Sequence, residues 1–252
     1  MLEIIMRLLL HTQIEHSYIQ IIGEIMKLTE EMIEGIFISE NKRRFLCKVL
    51  VDGKIEECYI SCSSKLKHYL NLINKKVLLT VNKSKTAKTK YSVFAVKYYG
   101  KYILLNSNIV NKVLQEEIQN ILDSKAHSSK IVVEKYVEAY KADLVIFGDQ
   151  TTIVEAKSII GSKRKVTFPN VNMERAIRQL KKLSELLSKG YSVEYYFVSL
   201  SPIVRMVLID EYYKEYKSLL IGCIKKGLIV RGITLYYAGG EIKAKVNLNI
   251  KF

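Results

Sequence analysis

The chain has 252 residues, 49% of them hydrophobic and 26% charged, so it is long enough to bury a core and has the composition of a globular protein. Its formal net charge of +15 favours a polyanionic partner, nucleic acid first and an anionic membrane surface second. A lysine-rich surface that serves ion pairs, as in thermophilic proteins, is the alternative. Residues 1–10 are apolar but contain Glu3 and Arg7 and are too short to span a bilayer, so we expect no membrane partner.

The four cysteines are Cys47, Cys58, Cys62 and Cys223, and they show no paired Cys-x-x-Cys spacing. Cys58 and Cys62 could supply half of a metal site, but a pair of buried thiols is the interpretation we favour. No disulfide framework is indicated, which predicts the reducing cytoplasm as the compartment.

The N-terminal part of the chain predicts a helical extension and then a small β-barrel. Residues 1–31 contain one or two amphipathic helical patterns that would pack on the body or on a second subunit, so a homodimer is one expectation. Residues 32–106 carry short strand patterns and one helix pattern, typical of an OB-fold-like nucleic-acid-binding domain. The predicted strands are 33–39, 44–51, 54–61, 76–82, 91–99 and 101–106, and the predicted helix is 64–72.

A basic loop lies between two of these strands. It carries four lysines and no acidic residue, namely Lys83, Lys85, Lys88 and Lys90. Aromatic residues follow at Tyr91, Phe94, Tyr98 and Tyr99. A basic loop beside stacking aromatics is typical of single-strand binding, whereas a solvated hairpin loop over core aromatics is the alternative.

Residues 107–252 predict a second domain with a mixed sheet covered by helices, so the fold class is α+β or α/β. A linking helix and loop span 107–130; the helix pattern covers 106–122 and begins at one of the capping residues Asn106, Ser107 or Asn108. Further helices are predicted at 173–189 and 211–226, and residues 161–172 are predicted as a loop. The predicted strands are 131–139, 141–147, 152–158, 191–200, 228–236 and 242–252.

The most informative stretch runs from 134 to 158, where two β-branched segments flank the turn 148–151. A hairpin centred on Asp149 sets Asp143 opposite Glu155, while Glu155 and Lys157 share one face of their strand. Two carboxylates this close repel each other unless a cation lies between them, and Mg²⁺ prefers such oxygen ligands. A lysine beside them can orient or deprotonate a water molecule, or neutralise charge on a phosphate. An exposed ladder of ion pairs is the alternative.

Basic residues surround this stretch. From Lys157 to Lys182 the sequence has eight lysines and arginines but one acidic residue, Glu174. Candidate phosphate contacts are Lys141, Lys163, Arg164, Lys165, Arg175 and Arg178.

The sequence resembles the sugar fermentation stimulation protein family over roughly residues 35–236. The resemblance is carried by Arg43-Arg44-Phe45-Leu46, Lys88-Thr89-Lys90-Tyr91, Asn106-Ser107-x-x-Val110-Asn111, Glu134 with Asp143, Val154-Glu155-Ala156-Lys157-Ser158, Phe168-Pro169-Asn170 and Met173-Glu174-Arg175. It implies an OB-fold joined to a restriction-endonuclease-like domain of the PD-(D/E)XK type. The chain departs from the family pattern at Lys141, where arginine is usual, at Ile177, where glutamine is usual, and in the degenerate stretch 60–66.

The resemblance also implies roles for individual residues. Asp143, Glu155 and the Ala156 carbonyl would bind Mg²⁺ or Mn²⁺, Lys157 would act on the attacking water, and Glu134 would be an accessory acid. The expected function is a metal-dependent nuclease acting on DNA, or also on RNA. The alternative is a DNA-binding regulatory protein without catalytic activity, and a protein-interaction module has less support.

Overall fold

The computed structural model describes the backbone of residues 24–27 and residues 32–41, 45–61, 66, 69–124, 129–169 and 173–252 in full. Most of the predicted N-terminal helical extension therefore lies outside the described residues. Residues 24–27, which the helix prediction included, form a strand, β1 (Glu24–Lys27), that pairs with a strand near the other end of the chain. The helix prediction was wrong for these residues because it used local periodicity, whereas the strand with which they pair is distant in sequence.

The first half of the chain closes into a barrel. Its strands are β2 (Ile33–Glu40), β3 (Leu46–Val51), β4 (Lys54–Tyr59), β5 (Lys76–Val81) and β6 (Tyr91–Tyr98). β2 pairs with both β3 and β5, and β3 pairs with β4. β6 pairs with β5 and, in parallel, with β4, which closes a five-stranded ring. This is the connectivity of an OB-fold, so the predicted fold class is confirmed.

The barrel strands form where the sequence alternates and where tight turns are available. Inward residues such as Phe37, Val49 and Val77 are fully buried. The β3–β4 turn at Asp52-Gly53 has positive φ at both residues, 48° and 79°, as a two-residue hairpin turn requires. The strand β7 (Lys101–Leu104) pairs antiparallel with β6. It connects the barrel to the second half, because the Leu104 N–H donates to the Leu200 carbonyl at 2.8 Å.

The second half is built around a seven-stranded mixed sheet in the order β1-β17-β16-β14-β12-β11-β8. Three of these strands, β12, β14 and β16, are parallel neighbours, and the others are antiparallel to theirs. The bounds of these strands are β8 (Lys130–Val133), β11 (Leu144–Phe147), β12 (Thr152–Ile159), β14 (Ser192–Ser199), β16 (Ile229–Ala238) and β17 (Glu241–Lys245).

Helices cover both faces of this sheet. Helix α1 (Ile109–Ser124) packs with the barrel on the face that carries Leu144 and Val154. Helices α2 (Glu174–Ser188) and α3 (Lys214–Lys225) pack on the face that carries Val145 and Ile153. All three agree with the sequence to within about three residues, and α2 ends before Gly190, whose φ is +90°.

Predictions for three segments of the second half were wrong, because they depend on pairings between distant strands or on a backbone break at Glu134. The predicted strand 131–139 ends at Val133, where Glu134 takes a positive φ of 50°, and a small ribbon follows, formed by β9 (Tyr136–Val137) and β10 (Tyr140–Lys141). The predicted loop 161–172 contains β13 (Lys165–Phe168), which pairs with β15 (Met206–Ile209), a strand that the sequence did not reveal.

The predicted terminal strand 242–252 is two strands, because β18 (Asn249–Lys251) joins β15 in a separate three-stranded sheet. Between β17 and β18 the Leu248 carbonyl approaches β16 so closely that a Cβ on Gly232 would lie 2.0 Å from its oxygen. The predicted helix 64–72 falls partly on residues outside the description, but its last residues, 70–72, are described and are not helical.

Candidate active site

The hairpin of β11 and β12 brings the two predicted carboxylates together. Leu144 pairs with Val154 and Val145 with Ile153, and this register, extended by one residue, sets Asp143 opposite Glu155. Glu155 and Lys157 both face α2, because alternate residues of β12 point to the same side of the sheet. The register agrees with the one predicted from the turn at Asp149.

Glu155 lies at the centre of the cluster and is 2% exposed. Its Oε2 accepts a short hydrogen bond from the Tyr140 hydroxyl, and its Oε1 accepts from Lys157 Nζ, also at short range. Gln179 Nε2 donates to the same Oε1 at 2.6 Å. A buried carboxylate is stable only with such partners, and here one of them carries the opposite charge.

Gln179, which the sequence analysis did not select, connects the two charged side chains. While its amide nitrogen donates to Glu155, its Oε1 accepts from Lys157 Nζ at 2.8 Å. Residues three and four apart share a helix face, so Gln179 lies on the buried stripe of α2 between Ala176 and Leu183. An uncharged polar residue on an apolar stripe is the signal that could have identified it.

Asp143 connects β12 to helix α1. The Ala156 N–H donates to Asp143 Oδ2 at 2.8 Å, and Asn111 Nδ2 approaches Oδ1 at 3.5 Å. Burial and then the charge of Glu155 raise the pKa of Asp143, against the Ala156 hydrogen bond and the charge of Lys157. The two acids therefore repel each other in a site with little solvent, as the sequence analysis expected.

Tyrosines form the floor of the site. Lys157 Nζ lies 5.6 Å above the centre of the Tyr195 ring, and the Tyr195 and Tyr216 hydroxyls are 3.1 Å apart. Burial raises the pKa of Tyr140, with Glu155 adding to the effect and Arg175 opposing it. Tyr140 consequently stays a protonated donor to Glu155.

Glu134 and Lys141 lie beside the cluster. Lys141 Nζ contacts Glu134 Oε2 at 2.6 Å, and both side chains are about half exposed. The Glu134 backbone N–H donates to the Asp143 carbonyl at 2.8 Å, which holds the ribbon of β9 and β10 next to the site. The accessory role of Glu134 stays a prediction.

The other predicted phosphate contacts are exposed and lie on separate elements. Arg175 and Arg178 are in the first turns of α2, with Arg178 3.9 Å from Glu174. Lys163 and Lys165 border a cleft of about 350 Å³ that Tyr69 of the barrel half also lines, and Arg164 lies between them. Lys83, Lys85, Lys88 and Lys90 are exposed in the β5–β6 loop of the barrel.

The predicted stacking aromatics behind this loop belong to the core. Tyr91, Phe94 and Tyr98 are buried, with 6%, 2% and 9% of their surface exposed, so the alternative of a loop over core aromatics is correct for them. Tyr99 is 81% exposed but lies at the far end of β6. The half-buried Tyr59 lines a cleft with residues of the loop, and its ring stacks on that of Phe45, which is 37% exposed, at 6.1 Å.

Among the described residues, Asp143 and Glu155 are the acidic side chains that this site offers to a metal ion. In the parts of the chain that the structure describes, no group of three or more His, Cys, Asp or Glu side chains could hold a metal ion. The described cysteines Cys47, Cys58 and Cys223 are buried free thiols. The prediction of a buried thiol is therefore confirmed for Cys58, whose pKa burial raises to about 12, whereas Cys62 lies outside the described residues. Two carboxylates exclude a closed zinc site but fit a hydrated Mg²⁺, which takes one or two carboxylates with water and phosphate oxygens.

Comparisons with known proteins agree on one family. The model of the sugar fermentation stimulation protein RE domain (SfsA) matches residues 105–239. A sugar fermentation stimulation protein homolog of Desulfitobacterium hafniense is 28% identical over 174 residues, which cover 66% of this chain and 72% of that protein. A homolog of Ruminiclostridium cellulolyticum is 23% identical over 225 residues, or 86% and 96% of the two chains.

The fold has a solved counterpart. The structure of Pyrococcus furiosus SfsA, in complex with Ca²⁺, superposes with a TM-score of 0.79 at 20% identity and covers 91% of this chain and 100% of that one. At this identity the likeness establishes a common fold. None of the helices that the structure describes has the length and hydrophobicity needed to cross a membrane.

Proposed function

Because the chain belongs to the sugar fermentation stimulation protein family, we propose that its carboxylate–lysine cluster is the active site of a metal-dependent nuclease that hydrolyses phosphodiester bonds in DNA, and also in RNA. One observation carries the proposal. Asp143 and Glu155 face each other in a buried hairpin, and Lys157 lies against Glu155. A protein that only binds a polyanion gains nothing from acids at this position.

The ion that fits this donor set is Mg²⁺ or Mn²⁺, held by Asp143, Glu155 and the Ala156 carbonyl. The raised pKa of Asp143 supports this assignment, because a divalent cation would relieve the repulsion between the two acids. The relative from Pyrococcus furiosus was solved with Ca²⁺, another cation that prefers oxygen ligands. Such an ion polarises a phosphate and lowers the pKa of a bound water molecule.

The remaining roles fall to the protein's own side chains. Lys157 orients the attacking water or neutralises charge that develops on the phosphate, and Gln179 holds its ammonium group. Exposed basic residues at 163–165 and on α2 hold the backbone phosphates on either side. Enclosure of Glu155 by Tyr140 and the tyrosine floor keeps bulk water from that carboxylate.

A regulatory DNA-binding protein without catalysis is the second candidate. It is favoured by the observation that the acids already have protein partners, since Lys157 contacts Glu155 and Ala156 donates to Asp143. A network that is complete in this way could persist as a structural feature after catalysis was lost.

The test is a cleavage assay on labelled linear duplex DNA, single-stranded DNA and RNA with Mg²⁺, Mn²⁺ or EDTA. Wild-type protein is compared with Glu155→Gln and with Asp149→Asn, a control in the exposed turn of the same hairpin. We expect metal-dependent cleavage by the wild type and the control but not by Glu155→Gln. Salt-sensitive binding without cleavage under any metal would instead establish the regulatory protein.

A further inference from the structure

A polar cleft of about 300 Å³ lies on the barrel beside the β5–β6 loop. It is lined by Tyr59 of β4 and Ser92 of β6, by Asn106 and Asn108 just before helix α1, and by loop residues. The lining loop residues are Asn82, Lys83, Ser84 and Ala87. The volume of the cleft is at the lower end of the range found for small-ligand sites, which suits a single planar group better than a large ligand.

The amide groups that line this cleft are held in place. Asn82 donates to the Thr89 carbonyl at 2.8 Å and accepts from the Ser92 hydroxyl at 2.6 Å. Asn106 Oδ1 accepts from the Ser61 hydroxyl and from the Asn108 N–H, each at 3.1 Å. Asn82 is thus engaged at both its amide nitrogen and its oxygen, so the Asn106 and Asn108 side chains are the ones that face a ligand. An asparagine amide offers donors and an acceptor on one plane, which is the pattern that matches the edge of an unpaired base.

An aromatic surface adjoins the cleft. The Phe45 and Tyr59 rings stack on each other with centroids 6.1 Å apart and planes inclined by 22°, and Phe45 is 37% exposed. The loop above carries exposed lysines, and residues 82–98 contain no acidic side chain. Base-stacking rings beside a positively charged loop are the elements with which proteins hold single strands.

The cleft is also close to the proposed active site. Asn108 lines the cleft, and Asn111, three residues on, approaches Asp143 at 3.5 Å. Asn108 directly precedes α1 and Asn111 lies in its first turn, so the start of this helix lies between the cleft and the carboxylates. A strand bound in the cleft would therefore continue along the start of α1 to the carboxylates.

We propose that this cleft binds one unpaired nucleobase of a single-stranded nucleic acid, stacked against Tyr59, whose ring is supported by Phe45, with the adjoining backbone leading to Asp143. The second half of this statement rests on the proposed nuclease function, but the binding site itself does not. A base inserted in the cleft cannot be paired, so the site selects single strands, flaps or frayed ends over blunt duplex.

The test measures binding in EDTA, so that metal-dependent cleavage does not interfere. Fluorescence anisotropy of the full chain is recorded with labelled single-stranded DNA, single-stranded RNA and blunt duplex DNA of about 16 residues, the upper site size of an OB-fold. We expect single strands to bind more tightly than duplex. Tyr59→Leu should weaken single-strand binding by about fivefold to a hundredfold, the effect of losing one stacked base.

Two further variants separate the cleft from general effects. Ala87→Glu places a negative charge on the exposed rim without touching the core, so its affinity for single strands should also fall. Tyr99→Leu removes an aromatic ring that is 81% exposed at the opposite end of β6, and it should stay within about twofold of wild type.

Any of three results would overturn the proposal. The first is an equal loss of affinity in Tyr59→Leu and Tyr99→Leu, and the second is full affinity in both Tyr59→Leu and Ala87→Glu. The third is duplex DNA bound as tightly as single strands. Failure of the nuclease function gives a different result, namely no cleavage by the wild type while the selective effect of Tyr59→Leu on binding persists.

Discussion

Replacing Gln179 by leucine tests the network around Glu155 without altering a charge. The side chain makes two hydrogen bonds to charged groups, 2.6 Å to Glu155 and 2.8 Å to Lys157, in a site where Glu155 is 2% exposed. Hydrogen bonds to charged groups contribute about 1.5–3 kcal/mol each. Because Glu155 keeps Tyr140 and Lys157 as partners, the loss should stay below the roughly 3–5 kcal/mol of a stranded buried charge. We expect about 2–3 kcal/mol.

Thermal unfolding in EDTA measures this loss. For a chain of this length about 1 kcal/mol lowers the melting temperature by roughly 2–4 °C, so Gln179→Leu should melt about 4–12 °C below the wild type. The control is Gln119→Leu on α1, which removes an exposed bond of 2.8 Å to Asp123 and should have little effect. A Gln179→Leu protein as stable as the Gln119→Leu control would refute the reasoning that Gln179 supports the buried pair.

Three further predictions address catalysis, binding and pH. The variants Asp143→Ala and Lys157→Ala should each lose cleavage, and each should keep nucleic-acid binding within a few-fold of wild type. If both variants still cleave, the site assignment is wrong. Reversing the charge of the three basic residues at 163–165 should weaken binding to all DNA sequences alike, and the slope of log K against log salt should fall by about 0.9 for each lost phosphate contact. Unchanged affinity would mean that these residues are merely solvated.

The pH prediction concerns Glu117 on α1, which is 9% exposed and whose pKa is raised by burial. A raised folded-state pKa means that wild-type stability falls as pH rises through that pKa, so Glu117→Gln should melt higher than wild type at pH 7. The gain should disappear below the unfolded value near 4.5. Melting curves from pH 4 to 8 measure it, and an equal gain at every pH would exclude titration of Glu117 as the cause.

Local signals in the sequence were enough to predict the barrel and the carboxylate hairpin. The turns at Asp52-Gly53 and Asp149 fix strand register over a few residues, so Asp143 falls opposite Glu155 by counting alone. Helices α2 and α3 follow from their periodicity and the glycines after them. The strands β1, β13 and β15 were missed or misassigned because their partners lie far away in the chain, and short segments carry no sign of such pairing.

In the site, too, local contacts could be predicted from the sequence and contacts between distant elements could not. Asp143, Glu155 and Lys157 were predictable because two adjacent strands hold them, whereas Tyr140 and Gln179 reach Glu155 from other elements. The position of Tyr140 depends on the end of strand β8 before Glu134, and the strand pattern in the sequence did not indicate the positive φ of Glu134. The sequence left open whether the aromatics behind the basic loop stack bases or fill the core, because β6 is buried on both faces by partners distant in the chain, such as Tyr237 against Phe94.

The free-energy cost of burying the carboxylate–lysine cluster helps to distinguish the proposed nuclease from a regulatory DNA-binding protein. Burying Glu155 beside Asp143 requires a lysine, a glutamine and a tyrosine to offset the repulsion and desolvation. Well-packed apolar residues in the same volume would commonly be as stable or more so, and they would repel a bound phosphate less. Stability and phosphate binding therefore both oppose this arrangement, and chemistry at a phosphate is the use that requires two acids and a lysine together. That balance is why the nuclease is preferred here over the regulatory DNA-binding protein.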